Sequence, residues 1–591
     1  MNKRVWYIKN KDHNGVKQPG ERITMNFVAR GNAKSAAVTS ISDDPNALVL
    51  ASWHNGFEGY INAPVTKNHK EWTLALTFDK PIDRLEIWDA DVVRSEQNGK
   101  VWYIKNKAHN GVKQPGDHIK MNFLAWGGAK SATVTGPTGA TTSLNTASVY
   151  DYDEVLRKSI LFYESQRSGK LPSTNRISWR GNSALGDRGK NREDLTGGWY
   201  DGGDHMKFGL PMAWSTTTLL WGLVDYKAAY VNAGEYENML NCVKWPLDYF
   251  LKTHTAKNEL YVQSGDITAD HAFWGRPEDL NMYRPSYKVD VSNPGSDVAG
   301  ETAAALAAGS IAFKSKVADS SKLLAHAKEL YNFGSSYLGK YTTDGHIPAN
   351  PLYTSSGYAD DLCVAAAWLY RATNEQKYLS DAKKWAANKM SWAWSWDDNT
   401  VACQLLLYIL TNETTYKQDV ETYMSSWLPG DSVSYTPKGL AWRGEKGPLR
   451  YAANTAFLAL RAADAGIQSD KYRTWAKYQI HYMLGDAGRS YVVGFGNNPP
   501  THPHHRAASC PLRPGPCGKS NKDTPSPNPQ VLTGALVGGP GKNDDYADVR
   551  TDAVKNAVRI DYNAGFQSAV AALKQWTLDL LPPDQGSGQG F

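Results

Sequence analysis

Two aspartates, Asp201 and Asp204, stand in the stretch Leu195–Phe208 (LTGGWYDGGDHMKF), with a pair of glycines between them and Gly197 and Gly198 upstream. Glycine has no Cβ, so such a backbone turns tightly and comes close to a ligand. The stretch predicts a rigid loop aiming two acids into one cleft, with Trp199 and Tyr200 as its aromatic floor. Paired acids serve reactions in which a carboxylate deprotonates a water while a second charge holds that water in line. Aspartate and glycine are also ordinary turn residues, so a solvated turn is the competing reading.

The elements that must position these acids belong to a chain of 591 residues, long enough for two or more domains. Apolar residues at 41% and charged residues at 21% describe a globular protein. The net charge of +6 is spread thinly and no Lys/Arg block stands out, which argues against a nucleic-acid partner. No stretch of membrane-spanning length is continuously apolar. The 21 Trp and 32 Tyr suit a protein that handles sugars, whose C–H faces pack on flat rings, and equally suit a large core. Five cysteines are too few for a disulfide framework. Cys510 and Cys517 flank a Pro/Gly-rich loop and could pair; Cys242, Cys363 and Cys403 fall in helical patterns and read as small core residues. MNKRVWYIKNK at the N-terminus lacks the apolar run of a secretory signal.

The chain begins with a repeat. VWYIKNKDHNGVKQPGERITMNF (5–27) recurs as VWYIKNKAHNGVKQPGDHIKMNF (101–123). Period-two alternation split by an HNG…PG turn predicts strands. With WTLALTF and RLEIWDA between the copies, residues 47–131 form one all-β sandwich. Residues 1–40 are then a partial repeat, for which a truncated N-terminus is the simplest account. Residues 132–149, rich in Thr, Gly and Ser, read as a flexible linker.

From Tyr150 the period becomes helical. Tyr236–Leu251 puts Leu240, Val243, Leu247, Phe250 and Leu251 on one face. Similar spacing marks residues 211–230, 301–314, 323–338, 361–372, 400–410, 449–463, 472–484 and 563–581. Residues 150–582 are thus expected to be all-α without alternating strands, stacked as a solenoid or closed as a toroid; residues 583–591 form a tail.

Two resemblances add to this reading. ASWHNGFEGYI, LTFDKPIDRLEIWDA and VWYIKNKAHNGVKQPGDHIKMNFLAWG resemble the strands of a family 2 carbohydrate-binding module, a sandwich that docks cellulose through surface Trp. That resemblance implies an exposed Trp53, and a platform lost where His13 and His109 replace Trp. GGWYDGGDHMKFGLPMA, ADHAFWGRPEDL, PGSDVAGETAAALAA, RYAANTAFLAL, YQIHYMLGDAGRSYVVGFGNNPPTHPHHRAAS and DYNAGFQSAVAAL closely resemble glycoside hydrolase family 9. This second resemblance implies an (α/α)6 barrel with an open cleft and endo-acting, inverting hydrolysis of β-1,4-glucosidic bonds in cellulose or related β-glucans. It further implies secretion, a monomer, and no cofactor beyond a structural calcium held by some members.

Carried over by residue, the resemblance makes Asp204 the general base and Asp201 its partner. His504 and Arg506 match the HxR signature that grips the glucose at the cleavage site, while His271 and Trp274 match sugar-binding positions, Trp274 as a platform. Arg450 and Tyr562, in RYAANTAFLAL and DYNAGF, are further substrate-binding positions. Taken alone, His502, His504 and His505 suggest a metal, but a proline-broken HPHH lacks zinc spacing and a fourth ligand. The family's acid is a Glu in a segment like NEVAxDYNAGF; this chain reads NAVRIDYNAGF, which puts Ala557 at that place and Arg559 where a small residue is expected. Lys446 likewise replaces a cleft Trp. Asp561 and, better placed, Asp548 are the substitute donors the sequence offers. Two readings follow: an impaired endo-β-1,4-glucanase, or a glucan-binding protein derived from one.

Overall fold

A computed structural model describes residues 47–53, 56–65, 69–107, 110–114, 117–127, 129, 132–135, 141–143, 145–146, 150–349 and 352–579. The partial repeat, the tail, His109 and the Trp53 side chain lie outside the described residues.

Residues 47–146 hold ten strands: β1 (Ala47–Trp53), β2 (Gly56–Pro64), β3 (Thr73–Phe78), β4 (Ile82–Ile87), β5 (Ala90–Glu96), β6 (Val101–Asn106), β7 (His118–Gly127), β8 (Ala132–Thr135), β9 (Thr141–Ser143) and β10 (Asn145–Thr146). They form two five-stranded sheets, ordered β10-β1-β2-β7-β4 and β5-β6-β3-β8-β9. Alternation sets the inner face: in β3, Leu74, Leu76 and Phe78 are buried while Thr73 is exposed. Phe78 meets Phe123 of the other sheet edge to face, with centroids 6.0 Å apart. The second repeat copy supplies β6 and β7. The expected linker is corrected here, because β8 pairs with β3, β9 with β8, and β10 runs parallel to β1. Its Thr and Val residues are β-formers, and they complete sheets that otherwise end on β3 and β1.

The second core belongs to twelve long helices: α1 (Tyr152–Ser165), α2 (Gly209–Asp225), α3 (Tyr236–Thr253), α4 (Ser296–Ala312), α5 (Val317–Ser336), α6 (Ala359–Thr373), α7 (Gln376–Trp385), α8 (Thr400–Thr411), α9 (Thr414–Trp427), α10 (Pro448–Asp464), α11 (Ser469–His481) and α12 (Ile560–Asp579). The even-numbered helices touch in a closed ring, and each odd-numbered helix packs outside it. That closure is the (α/α)6 barrel, and it decides for the toroid. Inner helices are buried all round, as in α4, where Ser296 to Ser310 are covered and Ala and Gly fill the close contacts. Helices α1, α7 and α9 lay outside the expected segments because their polar outer faces thin the apolar period. The expectation of no strands also needs correction: β11 (Lys207–Phe208), β12 (Leu260–Ser264) and β13 (Ser286–Val289) form a small antiparallel sheet that anchors the chain just after Asp204.

Cys510–Cys517 is a disulfide, and so is Cys363–Cys403, which ties α6 to α8. The latter two are therefore not the free core residues their helical setting suggests, since neighbouring inner helices bring them together. Among the described residues no helix is long and apolar enough to cross a membrane.

Candidate active site

Because the inner helices run parallel, their N-termini share one end of the barrel. The segments entering α2, α6 and α12 carry Asp204, Tyr353 and Ala557, and the first turn of α10 carries Arg450. Two of these segments, those entering α2 and α12, are joined with the HPHHR loop by backbone pairing. Ile560 N–H donates to the Asp201 carbonyl (2.9 Å), Arg506 N–H to the Gly203 carbonyl (3.1 Å) and His504 N–H to the Asn556 carbonyl (2.8 Å). Bridges also link Gly202 to Arg559 and His504 to Ala557. The DGGD glycines are explained by this crowding. A Cβ on Gly202 would meet the Val558 carbonyl oxygen, and one on Gly203 the His504 carbonyl oxygen. Gly203→Ala is therefore expected to lose stability by at least the ~1–3 kcal/mol of ordinary overpacking. Thermal unfolding followed by circular dichroism checks the loss, with turnover falling in parallel.

The two acids occupy different environments. Asp201 is buried and accepts both branches of the Tyr353 hydroxyl contact, at 2.7 and 2.8 Å. Arg559 Nη1 lies 3.4 Å from the same carboxylate and 3.1 Å from the Tyr353 oxygen. Burial pushes the Asp201 carboxyl well above its ordinary range, Arg559 opposes this, and the neighbouring Asp204 charge adds to it. For Asp204 burial also pushes upward, but the His271 hydrogen bond and the Arg506 and Arg559 charges outweigh it, and the net direction is down. His271 Nε2 stands 3.5 Å from Asp204 Oδ2, while Asp204 Oδ1 is buried without a partner. Asp204 is thus the ionised acid with a free oxygen, which a general base requires.

Around Asp204 the structure gathers the expected HxR and DHAFW residues. Arg506 Nη1 donates to Asp270 Oδ1 at 2.6 Å. His504 Nδ1 lies 2.7 Å from the Arg550 carbonyl, which can only accept. Nδ1 therefore carries the proton, and Nε2 presents a lone pair when the ring is neutral. Burial lowers the His504 pKa against the opposing pull of that carbonyl, keeping the ring neutral. Trp274 is nine-tenths buried: its N–H donates to Ser509 Oγ at 2.9 Å and its ring meets His504 edge to face at 5.3 Å. It supports His504 instead of lying open as a sugar platform. His505 is also buried, with Nε2 on Gln166 and Nδ1 accepting from Ala508 N–H. His502 is held by Asp548 and the Pro525 carbonyl. These hydrogen bonds occupy nitrogens that a metal would use. Asp204, Asp270 and His271 do bring ligand atoms within 4.8 Å of one another, but the Arg506 cation already sits on Asp270.

The acid wall is different in kind. Ala557 is buried beside His504, its carbonyl accepting from Gly538 N–H at 2.8 Å. Arg450 Nη1 binds Asp561 at 2.6 Å, and its guanidinium lies over the Tyr451 and Tyr562 rings at 4.2 and 4.6 Å. Arg450 and Tyr562 are both buried, so they build the wall more than they line an open groove. Asp548 is placed away from the role of substitute donor. It accepts from Thr501 N–H (2.7 Å), Thr501 Oγ1 (2.8 Å), His502 N–H (3.0 Å) and His502 Nδ1 (3.1 Å). Burial pushes it up, yet those hydrogen bonds bring its pKa below the ordinary value. An anchored carboxylate of this kind holds the HPHHR loop and has no proton to give.

Tyr353 and Asp270 are functional neighbours the sequence did not single out. Tyr353 reaches Asp201 across more than 150 residues and lies in no recognised motif; Asp270 stood inside ADHAFW, overshadowed by His271. Exposed aromatics at Tyr283 and Trp392 were equally silent.

The model for "Glycosyl hydrolase family 9" matches residues 152–570. Endoglucanase 4 of Bacillus sp. (strain KSM-522) is 48% identical over 457 residues, covering 74% of this chain and 71% of that relative. The chain spans 66% and 45% of two further bacterial relatives. Among solved structures, the endoglucanase of the termite Nasutitermes takasagoensis has a TM-score of 0.71 and 51% identity, covering 72% of this chain and 99% of that one. The cellulase CEL9M of C. cellulolyticium in complex with cellobiose has a TM-score of 0.67 and 36% identity, covering 73% of this chain and 100% of that one.

Proposed function

The chain belongs to glycosyl hydrolase family 9 and is by family an endo-β-1,4-glucanase, and we propose that it acts on β-1,4-glucans by inversion with a base but no acid. Asp204 deprotonates the water; Asp201, which accepts from Tyr353 and lies beside Arg559, holds that water in line. His504, Arg506 and His271 hold the sugar at the cleavage site. Inversion needs a second carboxyl roughly 6.5–9.5 Å from the base, to donate a proton to the leaving oxygen. Ala557 cannot donate one. The carrying observation is this asymmetry: Asp204 is ionised with an unpartnered Oδ1, while on the acid wall position 557 is alanine, Asp548 is held by Thr501 and His502, and Asp561, though its buried Oδ1 is unpartnered, is ion-paired to Arg450 through Oδ2.

A substrate whose leaving group needs no proton tests the reading. β-Cellobiosyl fluoride is expected to turn over measurably while soluble cellulose is cut slowly, and α-cellobiose is the product seen by NMR. Absence of fluoride turnover favours the second reading, a glucan-binding protein without catalysis. That reading draws on the same Ala557, because grip on the sugar does not require the acid.

Two attributes belong with the proposal. The β-sandwich holds the polysaccharide near the barrel, supported by its two-sheet form and its module-like motifs, and so raises the local substrate concentration. Secretion is supported by two disulfides, which persist in oxidising compartments. The buried carboxylates Glu301, Asp360 and Asp361 do not fit a structural calcium: they surround the Asn399 amide, which donates to Glu301 and Asp361, and among the described residues they do not bring three ligand atoms within 4.8 Å of one another.

A further inference from the structure

Outside the cleft, the outer helix α5 carries His326 and Glu329 one turn apart, hence on one face. They meet His254, the residue that ends α3. His254 Nδ1 and His326 Nδ1 face each other at 2.8 Å, with the rings edge to face at 4.9 Å. A nitrogen from each ring and a Glu329 oxygen all lie within 4.8 Å of one another. His254 is buried, and its Nε2, 4.0 Å from Glu329 Oε2, has no hydrogen-bond partner. Two apposed Nδ1 atoms can share only one proton, so at least one lone pair points into the cluster.

We propose that His254, His326 and Glu329 form a surface site for a divalent transition metal, zinc being the best fit. Two imidazoles and a carboxylate are the three protein ligands of an open tetrahedral zinc site, with water as the fourth. Nitrogen donors select against calcium and magnesium. Zn–N bonds of about 2.0–2.1 Å require the nitrogens to separate by roughly half an ångström. His326 and Glu329 can supply that movement, since His326 is only half-buried and Glu329 exposed. The metal would clamp α5 to the end of α3, stiffening the outer layer without touching the cleft.

The test uses the full chain stripped with EDTA and titrated with Zn²⁺ alone, by calorimetry and thermal unfolding. Co²⁺ serves as a spectroscopic substitute. One equivalent is expected to bind, raise the melting temperature and, as Co²⁺, give the intense visible band of a four-coordinate site. His326→Ala and Glu329→Ala are expected to weaken binding by about 10²-fold and 10-fold. His271→Ala, which removes the ligand-like group beside Asp204, is expected to leave binding unchanged. Fluoride turnover is expected to stay the same in the His326 and Glu329 variants. Failure of the wild type to bind one equivalent overturns the proposal. So does binding that survives both His326→Ala and Glu329→Ala, or binding that is lost in His271→Ala.

Discussion

Ala557→Glu is expected to raise hydrolysis of soluble cellulose by about 10²–10⁴-fold, the range a positioned general acid contributes. The backbone already places residue 557 where such a side chain would start: its bridge to His504 and its carbonyl bond to Gly538 N–H do not involve the methyl group. Reducing ends released from carboxymethylcellulose measure the gain. Fluoride turnover should change far less, because fluoride leaves without a proton. The variant should also acquire a basic limb in its pH profile, since an acid that must be protonated fails as pH rises through its pKa. Arg559 bears on where that limb falls. Its guanidinium lies two residues away, at Asp201 and Tyr353. A cation favours the ionised glutamate and pulls its pKa down. The double variant Ala557→Glu/Arg559→Ala should therefore carry the limb to higher pH and gain more than the sum of the single changes. If Ala557→Glu leaves cellulose hydrolysis where it was, the missing acid has been assigned to the wrong position.

Much of this site was legible in the sequence because its parts are local. Asp201, Gly202, Gly203 and Asp204 are contiguous, and the glycines are forced by close contact with the Val558 and His504 carbonyls. What stayed hidden was set by tertiary partners. Nothing in the stretch around Tyr353 announces that its hydroxyl meets Asp201, and nothing around Asp548 announces four hydrogen bonds from Thr501 and His502. The sequence offers Asp548 as a substitute donor by its place along the chain, and those four hydrogen bonds are what the place alone does not reveal. Trp274 shows the same failure, an aromatic at a sugar-binding position whose face is already covered. The fold behaved likewise. Inner helices were found from their apolar spacing. The Cys363–Cys403 bond and the pairing of residues 132–146 depend on which elements become neighbours, which periodicity does not encode.

Asp204→Asn is expected to cut β-cellobiosyl fluoride turnover by about 10²–10⁴-fold, the converse of the glutamate gain. Asparagine keeps the size and hydrogen-bonding edge of the side chain, so binding of cello-oligosaccharide should persist while the water loses its base. The pH profile of the wild type carries the same information. Asp204's pKa is lowered in the folded protein, so the base stays ionised below the ordinary aspartate range, and turnover falls only as pH drops through that depressed value. His271→Ala removes the strongest of the influences that lower it, the His271 hydrogen bond, and the acid limb should move to higher pH. Asp201→Asn is the informative contrast. Its carboxyl is pushed up by burial and already accepts from the Tyr353 hydroxyl, so a neutral amide is a smaller change there. If the two asparagine variants lose fluoride turnover equally, the division of labour between the acids is wrong, and the water is held by the pair as a unit. If Asp204→Asn alone is silent, the base lies elsewhere, and the free oxygen beside His271 serves only to bind sugar.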